Sequence, residues 1–166
     1  MLEILETFFK NARGRQLVAT TFLRLGLKVD GKGKIYVESI EIPPAKIARA
    51  LGVDRRVVID TAKDIAADDK LFQIFSRLES RAFVGSVAKE LGFDTIQMRA
   101  DPKKKGIVAR VATVLANNDV SIRQLISDDP DLFPDPVLTI IIDGKIPVDA
   151  IKKLRELEFA DAIMIR

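Results

Sequence analysis

The chain is predicted to be α+β in two parts, a mostly helical domain over residues 1–93 and a βαββαβ domain over residues 94–166. Two observations set this out. In the first part apolar residues recur at steps of three and four, whereas in the second short β-branched runs alternate with two helix-like stretches. Charge divides the same way: residues 10–56 hold 11 basic and 4 acidic side chains, while residues 94–166 are nearly balanced. At 166 residues, 48% hydrophobic and 31% charged, the chain is long enough to bury a core. No apolar run approaches the roughly 18–20 residues needed to span a bilayer, so no membrane role is expected. The start, MLEILETFFK, carries Glu3 and Glu6 where a secretory signal is basic, which predicts a cytoplasmic helix.

Residues 2–10 and 15–26 read as helices, the second with Leu17, Val18, Thr21, Phe22 and Leu25 in register and Gly26 as its stop. "LKVDGKGKIYVESIEI" reads as a hairpin turning at Asp30-Gly31, with Ile35, Val37 and Ile40 on its second arm. Pro43-Pro44 ends that strand and starts a helix. A second helix follows after Gly52-Val53, capped by Asp54. Residues 70–83 continue the helical pattern, and "SVAKELG" is a short helix leading to the second part. There the order is strand (95–100), helix (107–117), strand (120–127), an Asp/Pro-rich connector (128–136), strand (137–143), helix (147–157) and strand (162–166). This predicts a four-stranded antiparallel sheet with two helices on one face.

Cysteine and histidine are both absent. That removes disulfides, thiolate nucleophiles, Cys/His zinc sites and the commonest general base. No nucleophile-base pair can be assembled from the remaining residues, so no catalytic residues, cofactor or metal are predicted and the chain is not expected to be an enzyme. Asp128, Asp129, Asp131 and Asp135 lack calcium-loop spacing and read as a solvated connector.

"IPPAKIARALGVDRRVVIDTAKDI" has helix-turn-helix spacing: Ala48 allows close approach, Gly52 makes the turn, and Val53, Val57 or Val58 and Thr61 or Ala62 pin the second helix to the first. In such a unit the second helix meets a major groove of double-stranded DNA by its amino end, where Arg55 and Arg56 sit. Lys46, Arg49 and Lys63 are expected on phosphates, with Lys32 and Lys34 of the "DGKGK" hairpin touching the backbone as a wing does. The competing interpretation is two packed helices with solvated charge, and Asp60 and Asp64 count towards it. Single-stranded nucleic acid fits poorly, because Tyr36 is the only tyrosine, tryptophan is absent and the phenylalanines fall at core-like positions.

"DPKKKGIVARVATVLANNDVSI" is no Walker loop, since its lysines precede a single glycine. It presents a helix amino terminus at Gly106 and Ile107, which suits an anion such as an amino-acid carboxylate. Lys103–Lys105 read either as a solvated loop or as an added positive group that suits a dicarboxylic or phosphorylated effector.

On "RADPKKKGIVARVATVLANNDVSI" and the element order around it, residues 94–166 resemble the ACT domain, a ferredoxin-like βαββαβ module that binds amino acids and related effectors in metabolic regulators. In this chain three lysines separate Pro102 from Gly106, and Ser121 stands where the family often has asparagine. With "DDPDLFPDPVLTIIIDGKIP" included, the whole chain is similar to a group of archaeal predicted regulators of amino-acid metabolism. The resemblance implies a homodimer joined through ACT sheet edges. Effector sites would then lie between Asp101, Lys105, Gly106, Ile107 and Val108 of one subunit and the edge at Asn118, Val120 and Ser121 of the other. The function it implies is a ligand-responsive transcriptional regulator with a winged helix-turn-helix-like part on DNA. The alternative is a regulatory subunit that docks its helical half on a metabolic enzyme.

Overall fold

A computed structural model describes residues 2–99, 104–158 and 162–165. The chain forms two compact units, Met1–Ala82 and Phe83–Arg166. Among the described residues no helix is long and apolar enough to cross a membrane.

The first unit runs α1 (Leu2–Phe8), α2 (Arg13–Leu25), β1 (Lys28–Val29), β2 (Ile35–Val37), β3 (Ile40–Glu41), α3 (Pro44–Leu51), α4 (Arg55–Ala67) and α5 (Asp69–Phe75). Helix α2 buries Val18, Ala19, Phe22 and Leu23, so the predicted stripe is rotated and Leu17 and Leu25 face solvent. It ends at Gly26, whose left-handed φ of 65° turns the chain so that the Leu27 N–H bonds back to the Phe22 carbonyl at 2.9 Å. A Cβ at Gly26 would collide with the Glu79 carbonyl, so the position needs glycine both for its φ and for its space.

The predicted hairpin is a three-stranded antiparallel meander, pairing Val29 with Ile35 and Val37 with Ile40. Glu38, at φ 52°, reverses the chain and puts Ile40 on a third strand rather than on the second arm. The first turn is held by Asp30, whose Oδ1 accepts the Lys32 and Lys34 N–H groups at 2.9 and 2.8 Å. Burial raises the Asp30 carboxyl, but those two N–H bonds and the Tyr36 hydroxyl outweigh it, and the group titrates below its ordinary value.

Helix α3 starts at Pro44 and stops at Gly52, left-handed at φ 65°. Asp54 then caps α4 by accepting the Arg56 N–H at 2.7 Å. Ala48 is buried where α3 meets α4, and Val58, Ala62 and Ile65 carry α4 into the core with Phe22, Leu71 and Phe75. Helix α5 ends at Phe75 rather than continuing to residue 83, because the chain beyond it runs Glu79 and Ser80 against the Gly26 backbone.

The second unit begins with a single 3-10 turn at Gly85–Val87 in place of the helix expected over "SVAKELG". It continues through β4 (Thr95–Arg99), α6 (Ile107–Ala116), β5 (Ile122–Ser127), β6 (Leu138–Ile142), α7 (Val148–Arg155) and β7 (Ala162–Ile165). The strand order is β5-β6-β4-β7 with every pair antiparallel, matching the predicted βαββαβ arrangement. Val111 and Leu115 of α6 and Ala150 and Leu154 of α7 pack with Ile96, Met98, Ile140 and Ile142 of the sheet. By strand alternation Thr139 and Ile141 point to the opposite face, yet Ile141 is 0% exposed. The Gly85–Val87 turn packs on β6 there, Val84 donates its N–H to Gln124 Oε1 at 3.2 Å, and Arg123 sits 4.3 Å from the Phe93 ring centre. Residues 83–93 therefore belong with the sheet, ahead of the division at 93/94 suggested by the sequence.

Asp94 fastens β4 to the β6–α7 loop. Its carboxylate accepts Lys145 Nζ at 2.8 Å and the Ile146 N–H at 3.0 Å. Burial acts to raise this carboxyl, and Lys145 with the Ile146 N–H outweighs it, so it titrates below the ordinary 3.8. A lowered folded value means the stabilisation is complete above the unfolded value and is lost as pH falls through the folded one. Asp94→Asn is expected to cost about 1–2 kcal/mol at neutral pH and to flatten the acid limb of stability, measured by urea unfolding across pH.

Candidate functional site

Two arrangements stand out, one in each unit. In the first, Lys46 and Arg49 are exposed on α3, Arg55 and Arg56 on the opening turn of α4, and Lys63 two turns further on. The acidic side chains nearby are held by their own neighbours. Asp54 caps α4 and Asp68 caps α5, while Asp60 and Asp64 reach Arg15 of α2 at 3.5 and 2.6 Å. The two carboxylates that weakened the sequence-based case are thus paired across to α2, and the cations at the α3–α4 turn are left without such partners among the described residues.

The meander turn lies beside this surface. A Cβ at Gly33 would stand 3.2 to 3.3 Å from Lys63 atoms, so the turn rests on α4 and brings exposed Lys32 near Lys63. Lys34 does not join them. Its ammonium bonds Glu41 Oε2 at 2.9 Å, and that hydrogen bond holds its pKa above the ordinary value, so its charge is matched across the meander.

In the second unit a cavity of about 260 Å³ lies at the amino end of α6. Gly106, at φ 84°, turns the chain into the helix, and no described side chain caps it. The first N–H groups of a helix have no partner within it and attract negative charge. Ile107 and Val108 form one wall, and Met98 and Leu138 lie behind them. Ser127, Asp128, Pro130, Pro136 and Val137 of the connector close the other side. The volume is below the roughly 300–1,000 Å³ of pockets for drug-sized ligands, which suits a molecule the size of an amino acid.

The structure brings Gly106, Ile107 and Val108 together but not the rest of the predicted effector set. Lys104, not Lys105, lines the cavity, and Asp101 lies outside the described residues. Asn118, Val120 and Ser121 are at the far end of α6, about 15 Å away for ten residues at the helical rise. There the Asn118 amide donates to the Val114 carbonyl at 2.7 Å and its oxygen accepts Lys153 at 3.2 Å. Within one chain they form no single site with Gly106. The connector wall escaped sequence reasoning, although Pro130 and Pro136 on either side of "DLFPD" signal a shaped loop rather than a free one. Asp128 accepts the Val137 N–H and Asp129 the Asp131 N–H, so both acids brace the loop. Among the described residues no group of three or more acidic side chains is placed to hold a metal.

No family model matches the chain, and a search of curated proteins returns no match.

Proposed function

We propose that the chain is a cytoplasmic, non-enzymatic regulator that binds double-stranded DNA through α3 and α4 and senses a small anionic effector, an amino acid or a close relative, at the amino end of α6. The observation that carries this reading is the set of exposed cations around the α3–α4 turn, left unmatched because Arg15 engages the intervening carboxylates. The cavity at Gly106–Val108 supports the sensing half, with helix N–H groups for a carboxylate and apolar walls for a side chain. A homodimer joined through sheet edges completes the proposal, because only a second copy can bring the Val120–Ser121 edge to the Gly106 loop.

Fluorescence anisotropy with random and selected duplexes tests the DNA half. Lys46→Ala is expected to weaken all sequences about equally and to lower the slope of log K against log salt by about one. Arg55→Ala is expected to relax base preference instead. A protein that captures its partner from lysate equally with and without nuclease, and binds no duplex, is the enzyme-docking subunit. For the sensing half, a panel of amino acids and keto acids is expected to contain a member that raises the unfolding midpoint, and Val108→Glu, which sets a carboxylate in the cavity, is expected to abolish that shift.

A further inference from the structure

A second cavity, of about 600 Å³, opens on the first unit where α2 and the meander meet α3. Its floor is apolar: Leu27 and Ile47 are each 8% exposed, and Val37, Ile42 and Leu51 pack beside them. Leu25, at its lip, is 50% exposed, so the first unit does not fill the groove itself. The volume lies within the roughly 300–1,000 Å³ usual for small-molecule pockets.

The charge at the groove has one sign. Arg24 and Lys46 both border it, no carboxylate does, and among the described residues neither cation has an ion-pair partner. Thr21 contributes no free donor, since its hydroxyl bonds the Leu17 carbonyl at 2.8 Å. A second copy seated symmetrically here would set Arg24 and Lys46 against their own counterparts. A phosphate backbone would meet the cations and leave Leu25 and the floor in water.

We infer that this groove binds a linear amphiphilic carboxylate, with the chain on the floor between α2 and α3 and the head group at Arg24 and Lys46. An anion there gains charge-assisted hydrogen bonds, and each methylene laid on the floor leaves water. Because Lys46 also belongs to the DNA-facing set, an occupied groove competes for that cation. The site itself does not depend on the proposed DNA binding.

Calorimetric titration of the full chain with sodium decanoate, decanol and decyltrimethylammonium tests it directly. Decanoate is expected to bind one per chain, about tenfold or more tighter than decanol, with no binding of the cation. Octanoate is expected to be weaker than decanoate by roughly fourfold per methylene removed. Ala50→Phe fills the groove from the exposed side of α3 and is expected to abolish binding. Arg24→Glu with Lys46→Glu is expected to transfer the preference to the cationic probe. Equal affinity for all three probes, no heat with decanoate, or decanoate binding that survives Ala50→Phe each overturns the inference. So does binding lost in Val108→Glu but kept in Ala50→Phe, which assigns the ligand to the cavity of the second unit.

Discussion

Replacing Arg55 and Arg56 together by alanine is expected to weaken duplex binding about a hundredfold at fixed salt. Both side chains stand exposed on the first turn of α4, just after the Asp54 cap. In a helix laid into a major groove this is the end that meets base edges, and an arginine paired with a guanine contributes roughly 1–3 kcal/mol. Neither is drawn into a salt bridge within the unit. Their loss removes no ion pair within the unit and is not expected to loosen α4, whose cap is an Asp54 carboxylate on the Arg56 backbone N–H. The unfolding midpoint is expected to stay within a degree or two while affinity falls. Competition with random duplex separates lost specificity from lost charge, because lysines such as Lys63 remain to hold phosphate. Unchanged affinity for every duplex tested contradicts the DNA reading and leaves the fold description intact.

Gly26→Ala is expected to have the largest effect on stability, about 2–4 kcal/mol. The residue holds φ 65°, where an L side chain is strained, and its missing Cβ leaves room for the Glu79 carbonyl and the Ser80 backbone. Alanine must therefore either leave the left-handed region or push residues 79–80 away, and both disturb the end of α2. Gly52→Ala is the control: it has the same φ of 65°, and nothing lies within 4 Å of the place its methyl group would take. Its cost is expected to be about 1–2 kcal/mol, the conformational part alone. Urea unfolding of the two variants reads the difference directly. Equal losses would mean that the contact with Glu79 carries no weight.

The second unit was largely legible because its signals are local. β-branched runs, the glycine before α6 and Pro147 before α7 mark boundaries that neighbouring residues alone decide. Three features were not, two of them because they depend on distant contacts. Helical periodicity runs past Phe75 into Leu78, yet α5 stops because the following chain lies along Gly26. Glu38 turns the chain at a φ that favours glycine, hiding β3 from any turn rule based on composition. Residues 83–93 look like a continuation of the helical part, but they rest on the far face of the sheet. The site divides the same way. Gly106 and Ile107 were readable as a helix start, whereas Asp128 and Pro136 reach them only because β4 and β5 end on the same side of the sheet. Arg15 and Asp64 are 49 residues apart, and no spacing rule joins them.

The placement of residues 83–93 bears on how the molecule can be divided. A fragment starting at Asp94 would retain β4 to β7, α6 and α7 but lose the Gly85–Val87 turn that packs on β6, baring Ile141 and Thr139 in the middle of a β-sheet, a surface prone to self-association. A fragment starting at Phe83 keeps the Gly85–Val87 turn packed on β6. The first few residues after the helices thus act as a lining for the sheet, and their removal is expected to turn a monodisperse fragment into an aggregating one on gel filtration.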